Sequence, residues 1–422
     1  MSETKLSGSS GSGPSADSIS IVQRGNLKTL EESLRKQWRL GQNIVLCWSA
    51  TDNGILVLLV PHYFLGNYSA VADSGEENSN EAFIQQLISG ERHKPRDEFF
   101  EVANRLGFAP SFIKLSVQLA EEAPVVKAVE QIIKRYGISY VSSRAVLLFD
   151  IAEFSLYTPF EQASQLNSLS YSLNSAYNKL LTRGIEINFA RTTTGDGYYV
   201  WNRDLSRQAD LDLFYFLLLV IADNSLAREA SKGNTVPLIR TAYHIGSHYE
   251  LYQAEGVNPT LFSYIVGDVT IELARMLDLA LPGQVLVGDF AVELPAQPRV
   301  VDTPAFLAHC SEQLQQLYGI QLSGDAIAAM NCRPAGIRDA GGGSQPRRFK
   351  LTDKHGISRE AYSLQVEIRT ESGRSLLLGL NDADLPGEPL DPGASGGEAP
   401  ETIDGHSVKA LNKRILRSLI EK

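Results

Sequence analysis

The chain has 422 residues, 43% of them hydrophobic and 21% charged, with a formal net charge of −10. That length allows two domains, and the composition is ordinary for a soluble globular protein. A net acidic chain is not built to coat nucleic acid, which needs clustered Lys and Arg, although a local basic site can still hold one small anion.

Residues 1–20, including "SGSSGSGPSADS", read as a disordered polar leader without the apolar stretch of a secretory signal. The expected location is therefore cytoplasmic. Cys47, Cys310 and Cys332 are odd in number and far apart, which predicts free thiols rather than a disulfide frame or zinc site. From 21 to 140, helical patterns near 26–40, 82–90, 97–107 and 124–136 accompany strand-like "NIVLCWS" and "GILVLLV" around a turn at Asp52-Asn53-Gly54. His62 and His93 are isolated and no catalytic grouping is visible. This mixed α/β region is expected to be accessory, regulatory or dimerising.

From 144 the pattern sharpens. "AVLLFDI" is an apolar strand ending in an acid, and the next helix carries full punctuation: Thr158 as N-cap, Pro159 in the first turn and Glu161 completing a capping box. Leu166, Leu169, Leu173 and Leu180 form its stripe, and Gly184 closes it. Strand "IEINFAR", the tip Gly195-Asp196-Gly197 and strand "YYVW" follow, then a helix over about 205–231. Its run "LFYFLLLVIA" has ten residues before Asp223. A membrane span needs about twenty, so no stable membrane insertion is expected. Next come strands "PLIRTAYHIGSHYE" and "LFSYIV", helix "DVTIELARMLDLA" and strand "QVLVG". The order β-α-β-β-α-β is that of an α+β, ferredoxin-like sandwich. After 289 an irregular stretch with one helix (about 303–318) and the loop Gly341-Gly342-Gly343 precedes strands "RRFKLT" and "AYSLQVEI". Residues 381–404 read as a linker, and 405–422 as an amphipathic helix with Val408, Leu411, Ile415 and Leu419 on one face, suited to docking on protein.

Two acids carry the chemistry. Asp150 ends a central strand, and this topology lays the hairpin tip with Asp196 beside it. Converging carboxylates with backbone oxygen suit Mg²⁺ or Mn²⁺ on a triphosphate. Amides of "AEFSLYT", at the start of the following helix, could cradle phosphates. His244 and His248 are four apart on a strand, ~13 Å along it, and are expected to be structural.

"FDIAEFSLYT", "TTGDGYYVW", "YIVGDVTIELARML", "PGQVLVGDF" and "KHGISREAYSL" occur in the order found in class III nucleotide cyclases, and the chain resembles them over 144–368. The resemblance implies a head-to-tail homodimer with active sites at the interface and two divalent ions. It implies that Asp150, the carbonyl of Ile151 and Asp196 bind metal, that Arg275 stabilises the transition state, and that Lys354 grips the triphosphate. Purine-specific members have Lys or Glu where this chain has Thr192, and a second base-reading residue where it has Tyr264. The Asn that orients the ribose is replaced by Ile271.

Tyr264 is bulky enough to shorten the pocket toward a single ring, with Phe154 and Tyr157 narrowing it further, and Arg191 could donate to pyrimidine carbonyls. In this the sequence looks like the pyrimidine cyclases of bacterial anti-phage defence. Those enzymes imply Mn²⁺, UTP or CTP as substrate, and a separate cyclic-nucleotide effector. Two alternatives stay open: an adenylate or guanylate cyclase with altered base contacts, and a non-catalytic nucleotide-binding regulator, which Ile271 favours.

Overall fold

Caps and apolar stripes decide where the first elements begin. The structure is a computed structural model that describes residues 19–70, 80–255, 260–295, 299–338, 344–346, 348–352, 358–381 and 385. The leader up to residue 18, the loop 341–343, Lys354 and the 405–422 segment lie outside the described residues. The chain divides into two compact units, one formed by residues up to Val141 with Tyr249–Tyr264, the other by Ser142–His248 with the residues from Ile265 onward.

In the first unit Ser20 caps helix α1 (Ile21–Trp38) by accepting from the Gln23 amide. Strands β1 (Asn43–Thr51) and β2 (Gly54–Pro61), helices α2 (Phe64–Ala70), α3 (Asn80–Ser89) and α4 (Arg96–Leu106), strand β3 (Ser111–Lys114) and helix α5 (Ala123–Lys134) follow. The strands form an antiparallel sheet in the order β1-β2-β3. One face packs Val45, Trp48 and Val57 against α1 and α5; the other packs Leu46, Leu58 and Val60 against α3 and α4. His93 lies against Trp48, with ring centroids 4.4 Å apart, and is a packing residue.

After the first unit's elements the chain runs through strand β4 (Ile138–Ile151), helix α6 (Pro159–Leu181), strands β5 (Phe189–Thr193) and β6 (Gly197–Asn202), helix α7 (Arg207–Ala230) and strand β7 (Ile239–Glu255), of which β4 from Ser142 and β7 up to His248 belong to the second unit. Strand β8 (Thr260–Val266), which belongs to the first unit up to Tyr264, comes next, and helix α8 (Asp268–Leu279), strands β9 (Val285–Gly288), β10 (Ala291–Glu293) and β11 (Val300–Asp302), and helix α9 (Thr303–Glu312) continue the second unit. Strands β12 (Gln321–Leu322), β13 (Asp325–Pro334), β14 (Gly336–Arg338), β15 (Ser344–Pro346), β16 (Arg348–Thr352), β17 (Ser358–Thr370) and β18 (Ser375–Leu378) complete the described chain. The large sheet runs β12-β13-β17-β9-β7-β4-β6-β5. Within it β7-β4-β6-β5 is the fourth, first, third and second strand of a β-α-β-β-α-β unit, the ferredoxin-like order. The fold is α+β, as its element order foretold.

Strand periodicity sorts the two faces. Leu147, Phe149, Ile151 and Val200 belong to the core that holds α6 and α7, whereas Val146, Leu148 and Trp201 belong to the core under α8. Thr158 caps α6 as the sequence suggests, with Glu161 reaching back to the Thr158 amide at 2.9 Å. The apolar run in α7 is buried from Leu213 to Ala222. Among the described residues no helix is long and apolar enough to cross a membrane.

Three expectations need correction. Strand β5 starts at Phe189 rather than Ile185, because 185–188 make no ladder, and the Asn188 carbonyl instead accepts from the Arg203 amide at 2.9 Å. The helix expected over 303–318 ends at Glu312, and Leu314–Leu317 form a separate 3₁₀ turn. The stretch after 289 is not irregular: β13 runs ten residues and pairs along β17. Its pattern "DAIAAMNCRP" is diluted by Ala and Asn, which are weak strand formers.

Asp210 in the first turn of α7 accepts from the Ala145 amide at 2.7 Å, and burial pushes its pKa up to about 6 despite the nearby Arg144. A raised carboxylate pKa means that the folded state binds the proton more tightly than the unfolded one. Stability is therefore lost as pH rises to about 6 and stays lost above it. Asp210→Asn keeps an acceptor for Ala145 without the charge. It is expected to stabilise the protein by about 1–3 kcal/mol at pH 7 and by almost nothing near pH 4, read by urea unfolding at both pH values.

Candidate functional site

The Gly195-Asp196-Gly197 tip is made by its glycines. Gly195 has φ +103°, where a side chain is strained, and the Thr194 amide closes the turn onto the Gly197 carbonyl at 3.0 Å. A Cβ on Gly197 would stand 1.9 Å from the Phe149 carbonyl oxygen, so β6 can lie this close to β4 only with a bare α-carbon there. In register Asp150 is opposite Gly197, and the Ile151 amide donates to the Asp196 carbonyl at 2.9 Å. Backbone bonding therefore brings Asp150, Ile151 and Asp196 together at one end of the sheet.

The electrostatics agree. Burial raises the pKa of Asp150, Arg240 opposes that rise, and the charges of Asp196 and Asp278 add to it. Asp196 itself accepts from the Thr194 hydroxyl at 3.1 Å. Arg240, on β7, was missed in the sequence. Its Nε donates to Asp150 Oδ2 at 2.8 Å and its Nη2 donates to the same oxygen, so neither of these bonds is spent on Oδ1. A signal was present: "PLIRTAYHI" sets one Arg in a mostly apolar strand, and a charge there needs a partner.

The residues expected to bind substrate separate. Adjacent strand residues point to opposite faces, so Thr192 shares the face of Asp150 and Tyr199, whereas Arg191 shares that of Val200 and Tyr198. Arg191 lies over the Tyr198 ring, 5.4 Å from its centroid, and so does not line one pocket with Thr192 in this sheet. Phe154 packs against the α6 and α7 core. Tyr157 is half-buried, and its carbonyl accepts from Gln162 at 3.1 Å. The amides of Ala152, Leu156, Tyr157 and Thr158 are committed within the chain, so a phosphate cradle in this loop has to draw on other donors. Tyr264 is half-buried on β8 and groups with the first unit.

On α8, Arg275 pairs with Asp278 at 3.3 Å, and Ile271 is exposed. Tyr199 donates its hydroxyl to the Thr270 carbonyl at 3.0 Å. Burial, with the charge of Asp278, pushes its pKa up to about 12. His248 is buried beside Arg144 at 3.3 Å, and burial lowers both His244 and His248 to about 4, so both are neutral at physiological pH. Among the described residues no three His, Cys, Asp or Glu side chains converge as a metal cluster. The two acids near Ile151 are nevertheless hard oxygen donors of the kind that suit a divalent cation.

No protein-family model matches the chain, and no curated protein matches it in sequence. Solved structures similar to it include the catalytic core of a rhodopsin-guanylyl cyclase with converted specificity in complex with ATPαS, 14% identical, at a TM-score of 0.32 over 54% of this chain and 97% of that one. The guanylate cyclase domain of RhGC from Catenaria anguillulae in complex with GTP is 13% identical, with a TM-score of 0.31 over 54% and 97%. The adenylyl cyclase CyaB from P. aeruginosa is 14% identical, with a TM-score of 0.31 over 54% and 95%.

Proposed function

We propose that the protein is a nucleotide cyclase that converts a pyrimidine nucleoside triphosphate, UTP or CTP, to its 3′,5′-cyclic monophosphate and pyrophosphate. The observation that carries this reading is the junction of Asp150 and Asp196 through the Ile151 amide, 2.9 Å from the Asp196 carbonyl. It turns two acids distant in sequence into one oxygen-rich corner. Asp150, Asp196 and the Ile151 carbonyl would hold Mn²⁺ or Mg²⁺ there. The ion would make the ribose 3′-hydroxyl easier to ionise and offset charge on the departing pyrophosphate.

The chain's own groups supply the rest. The 3′-oxygen attacks the α-phosphorus in line, its proton passes to solvent, and the bond from that phosphorus to pyrophosphate breaks with its electron pair leaving on pyrophosphate. Arg240 keeps the Asp150 carboxylate compensated through two bonds to Oδ2. Arg275 and Lys354, contributed by the other protomer of a homodimer, are assigned to the charge of the transition state and of the triphosphate. A cyclic product would act through a separate effector, in keeping with a role in anti-phage defence.

Incubating the purified chain with Mn²⁺ and each of the four nucleoside triphosphates, followed by product identification, tests the reading. A cyclic pyrimidine monophosphate is expected. A cyclic purine monophosphate would point instead to an adenylate or guanylate cyclase with altered base contacts. The exposed Ile271 favours the second reading, a nucleotide-binding regulator. Such a protein would bind a nucleoside triphosphate and release no pyrophosphate.

A further inference from the structure

Arg240 meets Asp150 only if β7 sets out in the right place, and the start of β7 is tied on both sides within the sheet. The Ala152 amide donates to the Leu238 carbonyl at 2.9 Å, and the Gly283 amide donates to the Ile239 carbonyl at 3.1 Å. A third tie comes from α7. Asn224 Nδ2 donates to the Pro237 carbonyl at 2.9 Å, thirteen residues along the chain. Pro237 has a restricted φ and no N–H of its own, so fixing its carbonyl fixes the peptide plane that enters the strand. Ile239 then joins the core that holds α7, and Arg240 takes the opposite face. There it donates to Asp150 Oδ2 and, at 3.4 Å, to the Ala280 carbonyl.

Packing alone does not account for Asn224. Among the described residues buried in α7 it is the one carboxamide, 4% exposed and just past the apolar run. Asn is a weak helix former. Its Oδ1 is buried with no hydrogen-bond partner among the described residues. A stranded amide oxygen costs at least as much as a donated bond contributes, so the side chain adds little net stability. Leu would fill similar space and continue the apolar run. What Asn supplies and Leu does not is a donor of fixed direction, aimed at the residue from which β7 departs.

We infer that Asn224 is a positioning residue: through the Pro237 carbonyl it sets the start of β7, and so the placement of Arg240 against Asp150 on the other face of the sheet. Its consequence for turnover rests on the cyclase reading; the placement itself does not. The test is a pair of double-mutant cycles with Asn224→Leu and Arg240→Met. One cycle reads the urea unfolding constant, the other kcat with Mn²⁺ and whichever of the four nucleoside triphosphates turns over fastest. Asn224→Leu is expected to raise the unfolding constant at least about fivefold more in the wild-type background than in Arg240→Met. It should lower kcat about tenfold in the wild type, with KM within about threefold, and less than about twofold in Arg240→Met. Leu219→Ala, buried in the same helix, is the control and should have equal effects in both backgrounds. Asn224→Ala, which removes the donor without adding bulk, takes the place of the Leu variant should that not fold. Equal effects on unfolding in the two backgrounds overturn the inference whatever the activity. Coupled unfolding with uncoupled kcat overturns its role in turnover. A wild type that turns over no nucleotide overturns the cyclase reading and leaves the unfolding cycle to decide the placement.

Discussion

Asp196→Ala is expected to lower cyclisation at least a hundredfold, about 3 kcal/mol of transition-state stabilisation, while leaving the fold intact. The separation of the two effects follows from how the hairpin is held. The Thr194 amide to Gly197 carbonyl bond and the Ile151 amide to Asp196 carbonyl bond are both backbone bonds that alanine retains. The side chain gives up only the Thr194 hydroxyl contact. Stability should therefore change by no more than about 1 kcal/mol, as for a single exposed hydrogen bond. Steady-state pyrophosphate release and urea unfolding on the same preparation read both quantities. Wild-type turnover in this variant would remove Asp196 from the chemistry.

Arg240→Met should act on stability and activity together. The side chains of Arg240 and Asp150 are 21% and 15% exposed, so removing the cation strands a carboxylate in a largely dry place. Breaking one half of such a pair costs about 2–3 kcal/mol, less than for a fully buried pair because some water reaches this one. Arg240 is also what restrains the upward shift of Asp150. Without it the folded-state pKa climbs further, and more of the carboxylate's stability penalty appears as pH rises through that value. The acid limb of the pH–rate profile should move upward accordingly. Asp150→Asn combined with Arg240→Met removes both charges and is expected to recover most of the lost stability, though not the activity. Unfolding at pH 7 and at pH 5 measures the pair. A single variant as stable as the wild type would show that the ion pair is not structural.

The parts legible in the sequence were those with local causes. Thr158, Pro159 and Glu161 announce the start of α6 because a helix cap is written in four consecutive residues. The Gly-Asp-Gly tip was visible because a tight turn and a close strand approach both demand glycine. The parts not legible depend on partners far along the chain. Arg240 becomes meaningful only when β7 is laid beside β4, and β13 only when β17 supplies its ladder. That Arg191 and Thr192 share no face has a simpler reason: neighbours in a strand face apart, and Tyr199, seven residues on, is the side chain that faces Thr192.

The most direct measurement is Mn²⁺ affinity in the presence of UTP and of CTP, by titration calorimetry, for the wild type, Asp150→Asn and Asp196→Asn. Each substitution should weaken the ion by about tenfold or more, because each removes one charged oxygen ligand from the same corner. Undiminished affinity in either folded variant would contradict a shared cation site and, with it, the cyclase mechanism built on those two acids.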